Sequence, residues 1–486
     1  MIRHILKSFF TVFGLLALGL AAWVGYRYFA PEQLDDQAHL EAKSVYLEHI
    51  RKSAGTLHNA PNILFILYDD MGYGDIGAGE TSAAVIDTPN IDALAASGLV
   101  LSDFHSPAPV CTPSRAAFLT GRLAPRAGLP DVVFPSGSAK GFLSGLLMKP
   151  GSPVRLPAEE ITIAEVLKAS GYRTGMIGKW HLGDQRPSLP NDFGFEQYFG
   201  ALYSNDMEPF ALYRNRTIEV QAPVDQRYLS ERYTDEALAF LRASDEKFFL
   251  YFAHNFPHDP LHTSDERLGA SDGGLYGDVL EEIDEGVGVL VKELRDTRRL
   301  ENTLIIISSD NGPWYLGNAG AQRGRKGNTF EGGMRVPFIA HWPATIQPGR
   351  AASAMAMGID ILPTFLDILD LPPPNDRVLD GRSLLPVLEK GAASAHQYLH
   401  YYDGETLFAV RDQRFKYRGP AGVFYGTDQM PISGAVPQKE WLFDLQSDPG
   451  ESYDVSARYP DKLSELRVEF KRKKAEMSAN LRGWSP

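Results

Sequence analysis

Apolar and polar positions alternate along the chain in blocks of two kinds. Residues 62–68, 174–177, 247–253, 303–308 and 336–341 are near-continuous apolar runs. Their length and composition are those of strands buried on both faces. Between them lie stretches with helical periodicity. Thr88-Pro89 opens one that Gly98 closes, and Thr162 with Glu165 has capping-box spacing ahead of Gly171. Residues 228–243 form another. In 276–294, Val279, Ile283, Val287, Leu290 and Leu294 line one stripe, and Glu281, Glu282, Asp284 and Glu285 make a solvated face. Strands alternating with helices predict an α/β fold, a mostly parallel sheet flanked by helices. Past Asp376 the texture changes to short strands at 398–402, 406–410, 415–417 and 441–445, then a charged helix at 460–481. These predict a smaller C-terminal α+β subdomain containing an antiparallel sheet. The expected division is 60–385 for the main domain and 386–486 for the subdomain.

The first residues read differently. Arg3 and Lys7 precede an apolar run, 9–25, flanked by Trp23, Tyr26 and Tyr28. The run approaches the length that spans a bilayer, and its aromatic flank suits an interface. No A-x-A cleavage site follows. Residues 1–28 are therefore expected to be an uncleaved membrane anchor, with a cleaved signal sequence as the other reading. Either way the rest of the chain is exported. Residues 29–59 are polar and read as a linker or stalk.

Net charge is −13, and the basic residues form no run longer than short clusters such as Lys471–Lys474. That argues against a nucleic-acid partner. Cys111 is the single cysteine, so no internal disulfide forms.

The chemistry collects at strand ends. Asp69-Asp70, Lys179 with His181, His254 with His258, and Asp310-Asn311 each follow an apolar run. In a parallel sheet those ends share one edge, where ligands bind. Asp69, Asp70, Asp310 and Asn311 are hard oxygen donors, a set that selects Ca2+ or Mg2+ over zinc. Cys111 stands where a short helix ending at Gly121 begins, with Pro113 expected at the first helical position. Such a site suits either a buried thiol or a reactive sulfur beside an anion. Arg115 adds a guanidinium fork for a tetrahedral oxyanion. Lys179, His181, His258 and Lys326 bring cations and proton carriers to the same edge, whereas His105, His262 and His341 read as structural. Together they describe hydrolysis of a sulfate or phosphate ester.

Cys111-Thr112-Pro113-Ser114-Arg115, with Leu119-Thr120-Gly121-Arg122 after it, resembles the signature of the type I, formylglycine-dependent sulfatases of the alkaline phosphatase superfamily. Gly178-Lys179-Trp180-His181-Leu182-Gly183 is similar to that family's second signature, and Phe408–Arg411 and Asp448–Glu451 also look familial. The loop before Leu156 and the Tyr203-Ser204 segment are similar to arylsulfatase A-like members. The resemblance implies that a formylglycine-generating enzyme oxidises Cys111 to Cα-formylglycine, whose hydrate attacks the sulfur of a sulfate ester. It implies a divalent cation, Ca2+ with Mg2+ as the alternative, on Asp69, Asp70, Asp310, Asn311 and the modified residue 111. Arg115 and Lys179 would hold the modified residue, His181 act as base, and His258 protonate the leaving oxygen, with His254 as its alternative. Lys326 would grip the sulfate alongside Lys179 and His258, and Ser204 is a further sulfate contact. The implied substrate is an aryl, sugar or lipid sulfate. The runner-up is a formylglycine-dependent phosphonate or phosphate monoester hydrolase. Many extracytoplasmic eukaryotic members carry disulfides, so their absence points to a bacterial protein facing the periplasm from the inner membrane.

Overall fold

The computed structural model describes residues 35–53, 60–78, 85–142, 154–420 and 439–485, with positions 14, 18 and 19. The expected anchor falls otherwise outside the described residues. The strands are β1 (Asn62–Tyr68), β2 (Leu99–Leu101), β3 (Phe104–His105), β4 (Arg173–Gly178), β5 (Gln197–Gly200), β6 (Leu212–Arg214), β7 (Thr217–Val220), β8 (Phe248–Ala253), β9 (Thr303–Ser309), β10 (Phe338–His341), β11 (Arg350–Ala352), β12 (Ala356–Met357), β13 (Leu399–Asp403), β14 (Thr406–Arg411), β15 (Phe415–Arg418) and β16 (Trp441–Asp444).

A ten-stranded sheet runs in the order β11-β2-β10-β9-β1-β8-β4-β5-β6-β7. Its centre, β9-β1-β8-β4-β5, is parallel throughout. Toward one edge β10 is antiparallel to both β9 and β2, and toward the other the β6–β7 hairpin is antiparallel to β5. Every residue of β1, β8 and β9 is buried, which is why their sequences are continuous apolar runs. Alternate residues of β1 face opposite layers. Ile63, Phe65 and Leu67 pack with residues of the helices Cys111–Thr120, Ile163–Ala169 and Ile361–Ile368. Leu64 and Ile66 pack with residues of Pro89–Ala96, Leu229–Arg242 and Gly274–Asp296. The capping box of Thr162 and Glu165 is formed.

Two expectations are corrected. The 29–59 linker contains the helix Gln37–Ser53, which is docked on the body and is not a free tether. Ile50 is fully buried, Lys43 Nζ donates to Ala158 O (2.8 Å) and Glu160 O (2.7 Å), and the same ammonium pairs with Glu165 (2.6 Å). Asp284 does not belong to a solvated face. It is buried and accepts from the N–H groups of Asn90 (3.1 Å) and Ile91 (2.8 Å), satisfying free donors in the first turn of Pro89–Ala96. The expected strand at 336–341 is present as β10, Phe338–His341, antiparallel to β9 in the otherwise mostly parallel sheet.

The C-terminal sheet, β13-β14-β15-β16, is antiparallel throughout. Leu466, Phe470 and Met477 of Pro460–Ala479 share one apolar cluster with its strands and with Ala117, Leu123, Met334 and Met357 of the main domain. A buried ionic group also joins the two parts. Glu331 accepts from His105 Nε2 (2.9 Å), Arg411 Nη1 (2.8 Å), Lys416 Nζ (3.0 Å) and Tyr401 OH (2.9 Å).

Candidate active site

Val110 is extended (φ −143°, ψ 157°), and the helix Cys111–Thr120 starts at the next residue, ending on left-handed Gly121 (φ 67°). Ser114 N–H donates to Val110 O (3.2 Å). Pro113 is thus the third helical residue and not the first. Its missing N–H still falls among the early donors that have no partner inside a helix, so the position tolerates it. All ten residues of this helix are buried. Cys111 Sγ lies 3.4 Å from Asp69 Oδ1. Burial, then the Asp69 carboxylate, push its thiol well up. These protein groups hold residue 111 as a protonated thiol, the opposite of an activated thiolate.

β1 delivers Asp69 and Asp70, and its neighbour β9 delivers Asp310 and Asn311. The register pairs Tyr68 with Ser309, so the two doublets emerge side by side. Asp70, in a left-handed backbone conformation (φ 67°), donates its N–H to Asp310 Oδ1 (3.2 Å). Each carboxylate meets its own cation. Lys179 Nζ is 2.6 Å from Asp69 Oδ2, Lys326 Nζ is 2.8 Å from Asp70 Oδ2, and Arg115 Nε is 2.8 Å from Asp310 Oδ2. Burial opposes the charge on Asp69, but Lys179, then His258 and Arg115, hold it well below the usual carboxylate range. Burial, reinforced by the Asp69 charge, pushes Asp310 up to about 7.

This donor set fits a divalent cation. Ligand atoms of Asp69, Asp70, Cys111 and His258 lie within 4.8 Å of one another. Asn311 Nδ2 is 2.6 Å from Asp70 Oδ1, while its Oδ1 is buried without a hydrogen-bond partner. The same Nδ2 donates to Gly312 O (2.9 Å), and a half-turn of the amide would bring its oxygen to the carboxylates instead. Arg115 Nη2 is likewise buried and without a hydrogen bond, 3.7 Å from Asp69.

The histidines separate by environment. His181 follows β4 in a left-handed conformation (φ 61°). Its Nε2 lies 3.0 Å from Val133 O, and Nδ1 is buried with no partner. Burial, then the charge of Lys179, hold its pKa well below the usual value, so the ring is neutral with a free lone pair on Nδ1. His258 is 3.8 Å from Asp70 and 3.3 Å from Ser204 Oγ, and it lines a cavity of about 520 Å3 with Lys326 and Asp70. Ser204 Oγ also accepts from Lys179 Nζ (3.2 Å). His254 sits instead among Tyr68, Tyr233, Phe252 and Phe256, its Nδ1 accepting from Phe256 N–H (2.9 Å) and its pKa pushed by burial to about 3. It does not line the cavity.

Two supports were not foreseen. Asp75, in the glycine-rich loop after Asp70, accepts from Gly72 N–H (2.5 Å), Tyr276 OH (2.6 Å) and Asn318 N–H (2.7 Å). An acid inside such a loop was the available signal. The Lys326 loop is stitched by Lys326 N–H to Pro313 O (3.0 Å) and by Gly327 N–H to Pro109 O (2.8 Å). One turn thus ties the segment after Asn311 to the segment before Cys111.

The sulfatase family model matches residues 61–371, and the model described as the N-sulphoglucosamine sulphohydrolase C-terminal region matches 325–479. Human arylsulfatase A is 36% identical over 459 residues, covering 84% of this chain and 86% of that protein. Canine N-acetylgalactosamine-6-sulfatase is 35% identical over 448 residues, with 84% of each chain covered. Among solved structures, PsFucS1 sulfatase from Pseudoalteromonas sp. superposes with a TM-score of 0.76 at 27% identity, over 91% of this chain and 95% of that one. A phosphonate monoester hydrolase of Agrobacterium radiobacter, at 20% identity and TM-score 0.58 over 84% and 96% of the two chains, shares the fold alone. The chain belongs to the sulfatase family, within the alkaline phosphatase superfamily, and is a sulfuric ester hydrolase.

Proposed function

We propose that the enzyme cleaves its sulfate ester through a Cα-formylglycine made from Cys111 by a formylglycine-generating enzyme, with a divalent cation, Ca2+ first and Mg2+ second, on Asp69, Asp70, Asp310, Asn311 and residue 111. The observation that carries this reading is the meeting of Cys111, Lys179 and Arg115 around Asp69, at a helix start whose sulfur is a poor nucleophile as it stands. When in place, the aldehyde hydrate supplies a nucleophilic hydroxyl and a second one whose collapse frees sulfate, and the cation supplies Lewis acidity.

The chain's own groups do the rest. Lys179 and Arg115 orient residue 111 from two sides. His181 takes a proton at Nδ1, the atom left bare by its Nε2 contact with Val133 O. His258 gives a proton to the leaving alcohol oxygen from within the cavity. Lys326 and Lys179 hold the sulfate oxygens, with Ser204 beside them.

The comparisons support sulfate over phosphate, because the phosphonate hydrolase is only a distant neighbour. We place the enzyme outside the cytoplasm, held at a bacterial inner membrane by 1–28 or released to the periplasm if that segment is cleaved. Mass spectrometry of the Cys111 peptide from protein co-produced with the generating enzyme tests the core of the proposal. The expected species is lighter than the thiol peptide by the change from CH2SH to CHO. Thiol throughout, in protein that releases sulfate at full rate, overturns it. Aryl sulfate turned over no faster than aryl phosphate would favour the phosphate reading.

A further inference from the structure

The mouth of the cavity has no part in the roles above. Beyond Asp70, His258 and Lys326, the wall is made by Trp314, Asp206, Asp259 and Pro260. Trp314 is 37% exposed, and its ring meets Tyr315 edge-on at 4.6 Å between centroids. The turn carrying them is fixed. Arg325 Nη1 donates to the carbonyls of Trp314 (2.8 Å) and Gly317 (2.8 Å), one residue before Lys326.

The rest of the wall is acidic. Asp259 follows His258 on a segment fixed by buried Asn205, whose Nδ2 donates to Pro260 O (2.8 Å). Among the described residues, the Asp259 side chain makes no ion pair. Asp206 makes one, at 3.8 Å to Lys140, whose side chain is 65% exposed. Lys326 is the one cation in the described wall, and it is committed to Asp70 at 2.8 Å. The mouth therefore offers a held aromatic face, one carboxylate (Asp259) with no ion pair among the described residues, and a second (Asp206) paired only at long range there with exposed Lys140.

We propose that this mouth selects the alcohol part of the substrate, taking a ring-bearing monosulfate, aryl or sugar, whose other substituents are uncharged or cationic and turning away one with a second sulfate or a carboxylate. The inference rests on the sulfatase reading of the inner site. The ring lies on Trp314, an ammonium gains from both the indole face and the carboxylates, and a second anion is repelled within a screening length. Attraction for the single sulfate stays deeper, at Lys179 and Lys326.

Two substrate series, each with a constant leaving group and a varied remote charge, test this. The aryl series is tyramine O-sulfate, N-acetyltyramine O-sulfate and 3-(4-sulfooxyphenyl)propionate. The sugar series is glucosamine 6-sulfate, N-acetylglucosamine 6-sulfate and N-sulfoglucosamine 6-sulfate. In whichever series is turned over, kcat/KM should fall from cation to neutral to anion. The neutral member should exceed the anion by about fivefold at low salt, a gap that closes as ionic strength rises. Asp206→Asn and Asp259→Asn should each narrow that ratio, and Trp314→Ala should raise KM more than it lowers kcat. Equal kcat/KM across a series that is turned over, or preference for the anion, overturns the proposal and leaves the sulfatase reading standing. Sulfate release from neither series, by protein carrying the modified residue 111, also overturns the proposal, since neither kind of ring is then accepted at the mouth, whereas thiol at residue 111 in active protein is the result that overturns the inner-site reading.

Discussion

Asp310 shows how much one carboxylate does here. It accepts from Arg115 Nε at 2.8 Å and from the Asp70 N–H at 3.2 Å, and burial with the neighbouring Asp69 pushes it up to about 7. A cation among these oxygens would remove that penalty, because carboxylates that repel each other alone share a positive charge well. Removing the carboxylate should therefore weaken cation binding and catalysis together. Asp310→Ala is expected to lose activity by several orders of magnitude. Chelation should lower the melting temperature of the parent by an amount corresponding to about 3–4 kcal/mol, for cation at 100 to 1,000 times its dissociation constant, and should leave the variant nearly unmoved. Differential scanning calorimetry with and without chelator checks this, and an unshifted parent would place the cation elsewhere. At this scale the sequence was legible where chemistry sits at strand ends, as with Asp69, Asp70, Lys179, Asp310 and Asn311. It was silent on Glu331. Its partners Arg411 and Lys416 come from the C-terminal sheet, about 80 residues away, and no local pattern announces such a contact.

At the scale of elements, burial decides what could be read. The parallel core strands are covered on both faces and therefore announce themselves as apolar runs. The β6–β7 hairpin is short and half-exposed, with Thr217, Ile218 and Glu219 of β7 in solvent, so it carries no such pattern. The helix Pro460–Ala479 was legible from its apolar spacing, but its electrostatic seat was not. Glu469 accepts from His400 Nε2 of β13 (2.8 Å). Burial opposes its charge, but hydrogen bonds from Arg472 and His400 outweigh it and depress the Glu469 pKa to about 2 from 4.5. A depressed acid contributes stability that is complete above its unfolded value and is lost as pH falls through the folded one. The contribution of Glu469 is thus present above about pH 4.5 and disappears toward pH 2. Glu469→Gln should melt below the parent at pH 6 and converge with it as pH approaches 2. Melting curves by circular dichroism across that range check the sign, and a gap that widens in acid contradicts it.

For the whole molecule, the question is where the folded body begins. Reading 29–59 as a tether followed from its polarity, and the polarity is real. The helix Gln37–Ser53 docks with a single wholly buried apolar side chain, Ile50, and otherwise through half-buried, aromatic and polar contacts: Leu47 and Tyr46 against the core, His39 stacked on Trp484 (3.9 Å), Tyr46 donating to Pro372 O (2.9 Å), and Lys43 reaching Glu165 and two carbonyls. A contact of that kind leaves almost no apolar signature. Its energetic weight is larger than its area, because Glu165 is buried and Lys43 is its cation. Losing the partner of a buried charge costs about 3–5 kcal/mol, and exposing Ile50's site adds about 1.5–3 kcal/mol. Two truncations separate a tether from a docked element. Removing residues 1–34 should leave the melting temperature of the purified protein unchanged within about one degree. Removing residues 1–59 takes the helix and should lower it by several degrees, with Glu165→Gln in the same truncation restoring part of the loss by discharging the stranded carboxylate. Equal melting of the two truncations would return 35–59 to the role of a tether, since nothing in the body would then depend on it.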